Sequence, residues 1–315
     1  MPYIFKLIFV SLFFFGFSID TRAQKDSLND ISALIYLDSF VVTASSQGFD
    51  TNDFIDLVRN DSSFLEAFHN LRFISYKSTN DFNYFDKKGR TRASYTDTIV
   101  QTAKSNCRTM QYLSLSESGN YFKNRKKRKY NYFTSSMHDR LFYTHRKTCD
   151  NPELKIVAAD ASRFEKYVFE LKKLIFRPGE SANVPFIGDK TNIFDSSMRS
   201  FYDFNIKSEQ FEEYDCYVFE AVVKPKFEQK NKVVIHHLKT YFDKETFQVI
   251  GRDYRLQHSA GIYQFDVSMN IELFKRGEKY YPKTIHYNGY WNVPIKKREA
   301  ANFTLDFFDF QNQEL

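Results

Sequence analysis

Tyr263-Gln264-Phe265-Asp266-Val267-Ser268-Met269-Asn270-Ile271-Glu272-Leu273 alternates without a break, every odd position apolar and every even one polar. Successive side chains of a strand point to opposite faces. The stretch therefore has one buried and one wet face, the pattern of an antiparallel sheet. Further strands fit around it at 200–208, 214–224, 232–242, 247–257, 279–291 and 300–310. The turns include Asp243-Lys244-Glu245-Thr246 and Lys275-Arg276-Gly277-Glu278. Such a run of hairpin-linked strands over 200–310 is a meander, which must curl into a barrel or be covered on its apolar face.

The text upstream supplies a cover. Ser162-Arg163-Phe164-Glu165 matches a capping box, and Phe164, Tyr167, Val168, Leu171, Leu174 and Ile175 follow at helical spacing until Pro178 and Gly179. This predicts an amphipathic helix over 162–176. Helical spacing also appears at 51–70, where Phe54, Leu57 and Val58 follow Asp50 and Thr51, and Phe64, Leu65, Phe68 and Leu71 follow Asp61 and Ser62. Between these lie a hairpin, 73–85 and 92–103 about Asp86-Lys87-Lys88-Gly89, and strands expected at 108–116, 128–135 and 139–146. A first strand is expected at 33–44.

The chain opens with Lys6 and an apolar run from Leu7 to Phe17 that is too short to span a bilayer, followed by Ala23. We read residues 1–23 as a cleaved signal peptide, the alternative being an uncleaved anchor, and 24–315 as one mature β domain. No apolar run of spanning length follows, so the mature chain is expected to lack a transmembrane segment and to be periplasmic, with a peripheral place at the outer membrane as an option. Removal of the leader leaves 43 basic and 38 acidic side chains, a mild excess.

Phe and Tyr dominate the composition, 35 and 21 of 315 residues, and such side chains pack a core or line an apolar pocket. The densest charge run, Lys123, Arg125, Lys126, Lys127, Arg128 and Lys129 with Asn124 among them, follows an export leader and so points away from nucleic acid. It reads as a solvated hairpin tip or as a contact with acidic lipid headgroups or an acidic partner. Cys107, Cys149 and Cys216 allow at most one disulfide, Cys107 with Cys149 being the nearer choice.

Catalytic chemistry is not legible. The seven histidines form no metal-binding pair, His236 and His237 fall on opposite faces of one strand, and there is no G-x-S-x-G, G-x-G-x-x-G or Walker loop. No cofactor or metal is expected, and no nucleophile, base and orienting group come together as an enzyme needs. The aromatic cluster Tyr287 to Pro294 around Trp291 suits either an amphipathic ligand or the capping of a barrel end.

The order of elements, from leader through helices and hairpins with Asp-Lys-Lys-Gly and Asp-Lys-Glu-Thr turns to a long meander, resembles the outer-membrane lipoprotein carrier (LolA-like) fold. That resemblance implies an unclosed half-barrel whose apolar face, lidded by helices, accepts acyl chains. Leu37-Asp38-Ser39-Phe40-Val41-Val42-Thr43-Ala44 and the helix Asp53 to Arg59 are similar to the segment after the carboxypeptidase-regulatory-like domain in large uncharacterised Bacteroidetes envelope proteins. This second likeness implies an envelope setting.

The expected protein is thus mainly β, a non-enzymatic half-barrel holding a lipid, lipopeptide or other amphipathic ligand. Its pocket would be lined by Tyr263, Phe265, Val267, Met269 and Ile271, faced by Phe164, Val168 and Leu171, with Trp291 nearby. The alternative is a structural or assembly factor of the envelope, with a dry core and a surface site for an outer-membrane or other envelope protein.

Overall fold

A computed structural model describes residues 50–149, 166, 170, 174, 176–184, 187–228, 231–260, 263–292 and 298–311. The expected leader, the strand at 33–44 and most of the helix at 162–176 lie outside the described residues; of that helix, Lys166 and Glu170 are described as helical.

Two helices come first, α1 (Thr51–Asn60) and α2 (Ser63–Asn70). Asp50 caps α1 by accepting from the amides of Asn52 and Asp53, while the Asp53 carboxylate accepts from the Asp50 amide, so two of the orphan N–H groups of that helix end are satisfied locally. The hairpin β1 (Ser75–Phe85) and β2 (Thr91–Lys104) follows, then β3 (Cys107–Gly119) and a small ribbon of β4 (Phe122–Asn124) and β5 (Lys129–Tyr130). Helix α3 (Phe133–Phe142) leads to the short β6 (Thr148–Cys149). A four-residue helix, α4 (Ser196–Arg199), precedes the meander: β7 (Tyr202–Phe211), β8 (Tyr214–Val223), β9 (Ile235–Asp243), β10 (Val249–Ala260), β11 (Tyr263–Arg276), β12 (Lys279–Asn292) and β13 (Glu299–Gln311).

All strands but β4 and β5 form one antiparallel sheet in the order β6-β3-β2-β1-β13-β12-β11-β10-β9-β8-β7. The last strand returns to pair with the first, Phe82 opposite Phe303 and Asn80 opposite Leu305, and this joins the N-terminal hairpin to the meander. The sheet does not close, since β7 and the β3/β6 edge have no mutual pairing among the described residues.

Alternation puts every second residue on the inner face. One row runs Thr240, Arg252, Ile271, Ile285, Leu305, Asn80, Asp97, Leu115 across β9, β10, β11, β12, β13, β1, β2 and β3. Its chemistry changes along the way, from a buried arginine through three aliphatics to a buried amide and carboxylate, and it ends on an exposed leucine. Helices α1, α2 and α3 cover this face. Phe54 meets Tyr217 and Phe242 edge-on at 5.8 Å, and Phe64 and Phe68 carry the packing inward.

One expectation is corrected here. Strands were expected at 128–135 and 139–146, whereas only Lys129–Tyr130 is extended and 133–142 is helical. The residue before α3, Tyr132, gives it no side-chain cap. The buried Glu299 does so instead from the start of β13, accepting from the amides of Phe133 at 2.6 Å and Thr134 at 3.1 Å. A carboxylate at a helix N-terminus is favoured by the helix dipole, but this one arrives from far along the chain and leaves no local signature.

Candidate functional site

Helix α3 lies over the middle of the inner face. Its buried residues Thr134, Ser135, Met137 and His138 face the sheet, and the Ser135 hydroxyl makes a short hydrogen bond with Tyr84. Beneath it is a cavity of about 80 Å³. Its floor is Met269, Ile271, Ile285, Phe303 and Leu305, and its roof is Met137, Leu141, Phe142, Phe68 and Phe176. Among the described lining residues, Thr134, His138 and Tyr287 carry the polar side chains. His138 is ringed by Phe82 at 4.7 Å, Phe142 at 5.2 Å and Tyr143 at 4.7 Å, and burial drives its pKa down to about 3, so it is neutral in the fold.

A second cavity of about 100 Å³ shares Phe68, Leu141, Phe142 and Phe176 with the first, so these four side chains form the partition. Phe68 and Phe176 meet edge-on at 5.1 Å, and Phe68 and Phe142 lie 6.4 Å apart. The outer chamber is different in character: Arg72, Arg108 and Arg140 line it with Gln101 and Thr144. Arg108 donates from Nε to the Thr144 hydroxyl at 2.9 Å, while Gln101 donates to the carbonyls of Leu71 and Ile74. An uncharged chamber thus adjoins a cationic one, with aromatic rings between.

The β1–β2 side of the inner face is polar and satisfied. Asp97 is fully buried and accepts from Asn80 at 2.6 Å, from Tyr95 at 2.7 Å and from Tyr143. Burial raises its pKa against the pull of those three donors, and burial first and then Asp97 raise the pKa of Tyr95. This network fixes Tyr143, the residue that ends α3.

The residues expected in the pocket divide. Met269 and Ile271 line the inner cavity. Phe265 and Val267 are buried but pack away from it, Phe265 against Trp291 at 5.1 Å and His258 at 5.8 Å. Trp291 is itself buried and donates to the Tyr287 hydroxyl at 2.7 Å, closing one end of the core. Gly289 makes room for that arrangement, since a Cβ there would sit 2.0 Å from the Tyr287 oxygen. Tyr263 belongs to β11, but its side chain, and all of Phe164, Val168 and Leu171, lie outside the described residues. Lys123, Arg125, Lys126, Lys127, Arg128 and Lys129 are exposed on the β4–β5 ribbon.

Sequence reasoning missed Ile285 and Leu305, although Ile285-Tyr287-Gly289-Trp291 and Ala301-Phe303-Leu305-Phe307 carry the same alternation as β11. It also missed the three arginines, which come from three separate elements and share no spacing. A wider concavity, about 610 Å³, is on the outer face, where polar groups pair across strands, as Asn270 with Asp253, His237 with Glu220, and Arg255 with Asp266. Most of its charged groups are thus already paired across strands. Among the described residues no group of three His, Cys, Asp or Glu side chains is placed to hold a metal ion, and no helix is long and apolar enough to cross a membrane.

No protein-family description matches this sequence, and no curated protein matches it. Solved structures do. A LolA superfamily protein from Nitrosomonas europaea is 11% identical over 80% of this chain and 93% of that one, with a TM-score of 0.25. A domain described as an outer membrane lipoprotein-sorting protein, from Vibrio parahaemolyticus, is 11% identical over 77% and 88%, with a TM-score of 0.26. A DUF1329 family protein from Desulfovibrio piger is 10% identical over 80% and 93%, with a TM-score of 0.25. At such identities and TM-scores these likenesses carry no argument about this chain, whose architecture is the unclosed antiparallel sheet described above.

Proposed function

We propose that this chain is an exported, periplasmic binding protein, not an enzyme, that holds an acyl chain bearing an anionic head. The observation that carries this reading is the pairing of chambers: an apolar cavity under α3, and beside it one onto which Arg72, Arg108 and Arg140 converge. An apolar tail gains by burial in the first. A carboxylate or phosphate gains charge-assisted hydrogen bonds from arginines in the second. A fatty acid, a phospholipid or an acylated peptide fits this description. A cavity of about 150 Å³ is known to take benzene, so at about 80 Å³ the inner chamber is too small for a lipid chain as it stands. Access by a chain of lipid length requires the partition rings Phe68, Phe142 and Phe176 to swing aside and join the two chambers.

The smallness of both cavities favours a second reading, an envelope structural or assembly factor with a packed core. Native mass spectrometry separates the two. The mature protein taken from its own periplasm is expected to carry a lipid at near-stoichiometric level, and the stripped protein to bind palmitate. Ile285→Trp, which fills the floor of the inner chamber, should weaken palmitate binding by about tenfold or more. Arg108→Met should weaken palmitate more than an uncharged acyl alcohol. A clean apo mass that survives incubation with envelope lipids and palmitate would leave the packed-core reading in its place.

A further inference from the structure

The basic run on β4–β5 is not isolated on the surface. Arg125 pairs with Glu117 of β3, and Arg128 donates to the Tyr112 hydroxyl at 3.2 Å, so the ribbon tip straddles the stretch of β3 between those residues. That stretch contains the chain's most exposed large apolar side chains among the described residues, Leu113 at 57% and Leu115 at 44%. Leucines on a sheet edge beside a cluster of cations have the composition of an interfacial membrane contact, apolar groups for the acyl boundary and cations for anionic headgroups.

Such an edge also invites a partner strand. Two features disfavour that occupant. The β2–β3 register shifts between Thr98 and Ile99, leaving Leu113 as a bulge that interrupts the ladder where a strand would have to dock. The cations of the ribbon tip also stand beside this same stretch, where their placement is complementary to a negatively charged surface. The patch is also continuous with the outer chamber: Tyr112 meets Tyr143 edge-on at 6.0 Å, and both Tyr143 and Arg140 line that chamber.

We infer that Leu113, Leu115 and the tip cations Arg125 to Lys129 form a docking surface for an anionic phospholipid bilayer, which sets the outer chamber close to the lipid headgroups. The surface is independent of what the cavity holds. Docking is expected to be electrostatic in its range and apolar in its final contact.

Vesicle co-sedimentation of the full mature chain tests this, using phosphatidylcholine alone and phosphatidylcholine with about one-third phosphatidylglycerol. Binding is expected only to the anionic vesicles and should collapse at about 1 M salt, where charge is screened beyond ~3 Å. Each cation removed should cost about fivefold in affinity, so Lys126→Ser with Lys127→Ser should cost about 25-fold, and Leu113→Ser about fivefold. These positions are solvent-exposed, and unchanged circular dichroism and unchanged palmitate binding would show that fold and cavity are intact. Equal binding to both vesicle types, or affinity for anionic vesicles unaltered in the lysine double variant, would overturn the inference. So would an absence of vesicle binding accompanied by concentration-dependent dimers that Leu113→Lys abolishes, which would assign the edge to strand addition.

Discussion

Arg252 heads the fully buried side chains by volume, and it sits on the inner face of β10. Its guanidinium lies over the Phe64 ring at 4.4 Å, near the Asp61 carboxylate at 3.6 Å, and it donates to the Thr240 hydroxyl at 3.3 Å and the Phe176 carbonyl at 3.5 Å. Burial pushes its pKa down to about 10, with Asp61 opposing. One side chain thus ties the sheet to the start of α2 and to the segment that carries Phe176. Breaking a buried pair from one side strands the other charge, at a cost of about 3–5 kcal/mol. Asp61 keeps its bonds to Ser63 and Phe64 at the start of α2, which moderates that figure. Arg252→Met is expected to lower unfolding free energy by about 2–4 kcal/mol in urea titration. Arg252→Met with Asp61→Ser, which retains a capping hydroxyl, should recover part of the loss. A double variant no more stable than the single would show that the ion pair is not what Arg252 contributes.

At the scale of elements, α3 is the roof of the cavity, and it carries a titratable group on its buried face. His138 has a pKa of about 3 in the fold against 6.5 in an unfolded chain. Desolvation by the surrounding rings causes the shift, and Asp139 opposes it weakly. The folded state excludes a proton that the unfolded state binds below pH 6.5. Stability is therefore full above that value and falls by up to about 1.4 kcal/mol per pH unit as pH drops from 6.5 toward 3. Urea midpoints at pH 7 and pH 5 should differ accordingly, and His138→Leu should shrink the difference. If the variant keeps the full pH slope, another group is responsible.

Across the whole molecule, the segment that supplies the roof is closed into a loop. Cys107 of β3 and Cys149 of β6 form a disulfide, 42 residues apart, that encloses the β4–β5 ribbon and α3. The pairing left open by the sequence is settled by register, because β3 and β6 place these two residues opposite each other. Closing a loop of that length removes up to about 4 kcal/mol of unfolded-chain entropy. Reduction, or Cys107→Ser with Cys149→Ser, is expected to lower unfolding free energy by about 2–4 kcal/mol, read by urea titration. Coincident urea curves for the oxidised and reduced protein would remove the disulfide from this account.

The sheet was readable because its signal is local: in β11, from Phe265 to Leu273, each side chain's neighbour in sequence faces the opposite way, so solvent writes a two-residue period into the text. The helices at 51–70 were readable for the same reason, Asp50 and the apolar spacing of Phe54, Leu57 and Val58 lying within a few turns of one another. Helix α3 was not, because its N-terminal cap is Glu299 and its buried face is set by Tyr84 and Phe82 of β1. The candidate site was readable in part for the same reason. Met269 and Ile271 stand on the right face of the right strand, but which inner residues meet a cavity depends on where α3 crosses the sheet. Periodicity along the chain was enough to specify a mainly antiparallel protein with helices to cover it. That β13 returns to β1, that Cys107 meets Cys149, and that Arg72, Arg108 and Arg140 converge emerges with the fold. Each of these is a contact between residues distant along the chain, and no period in the text encodes it.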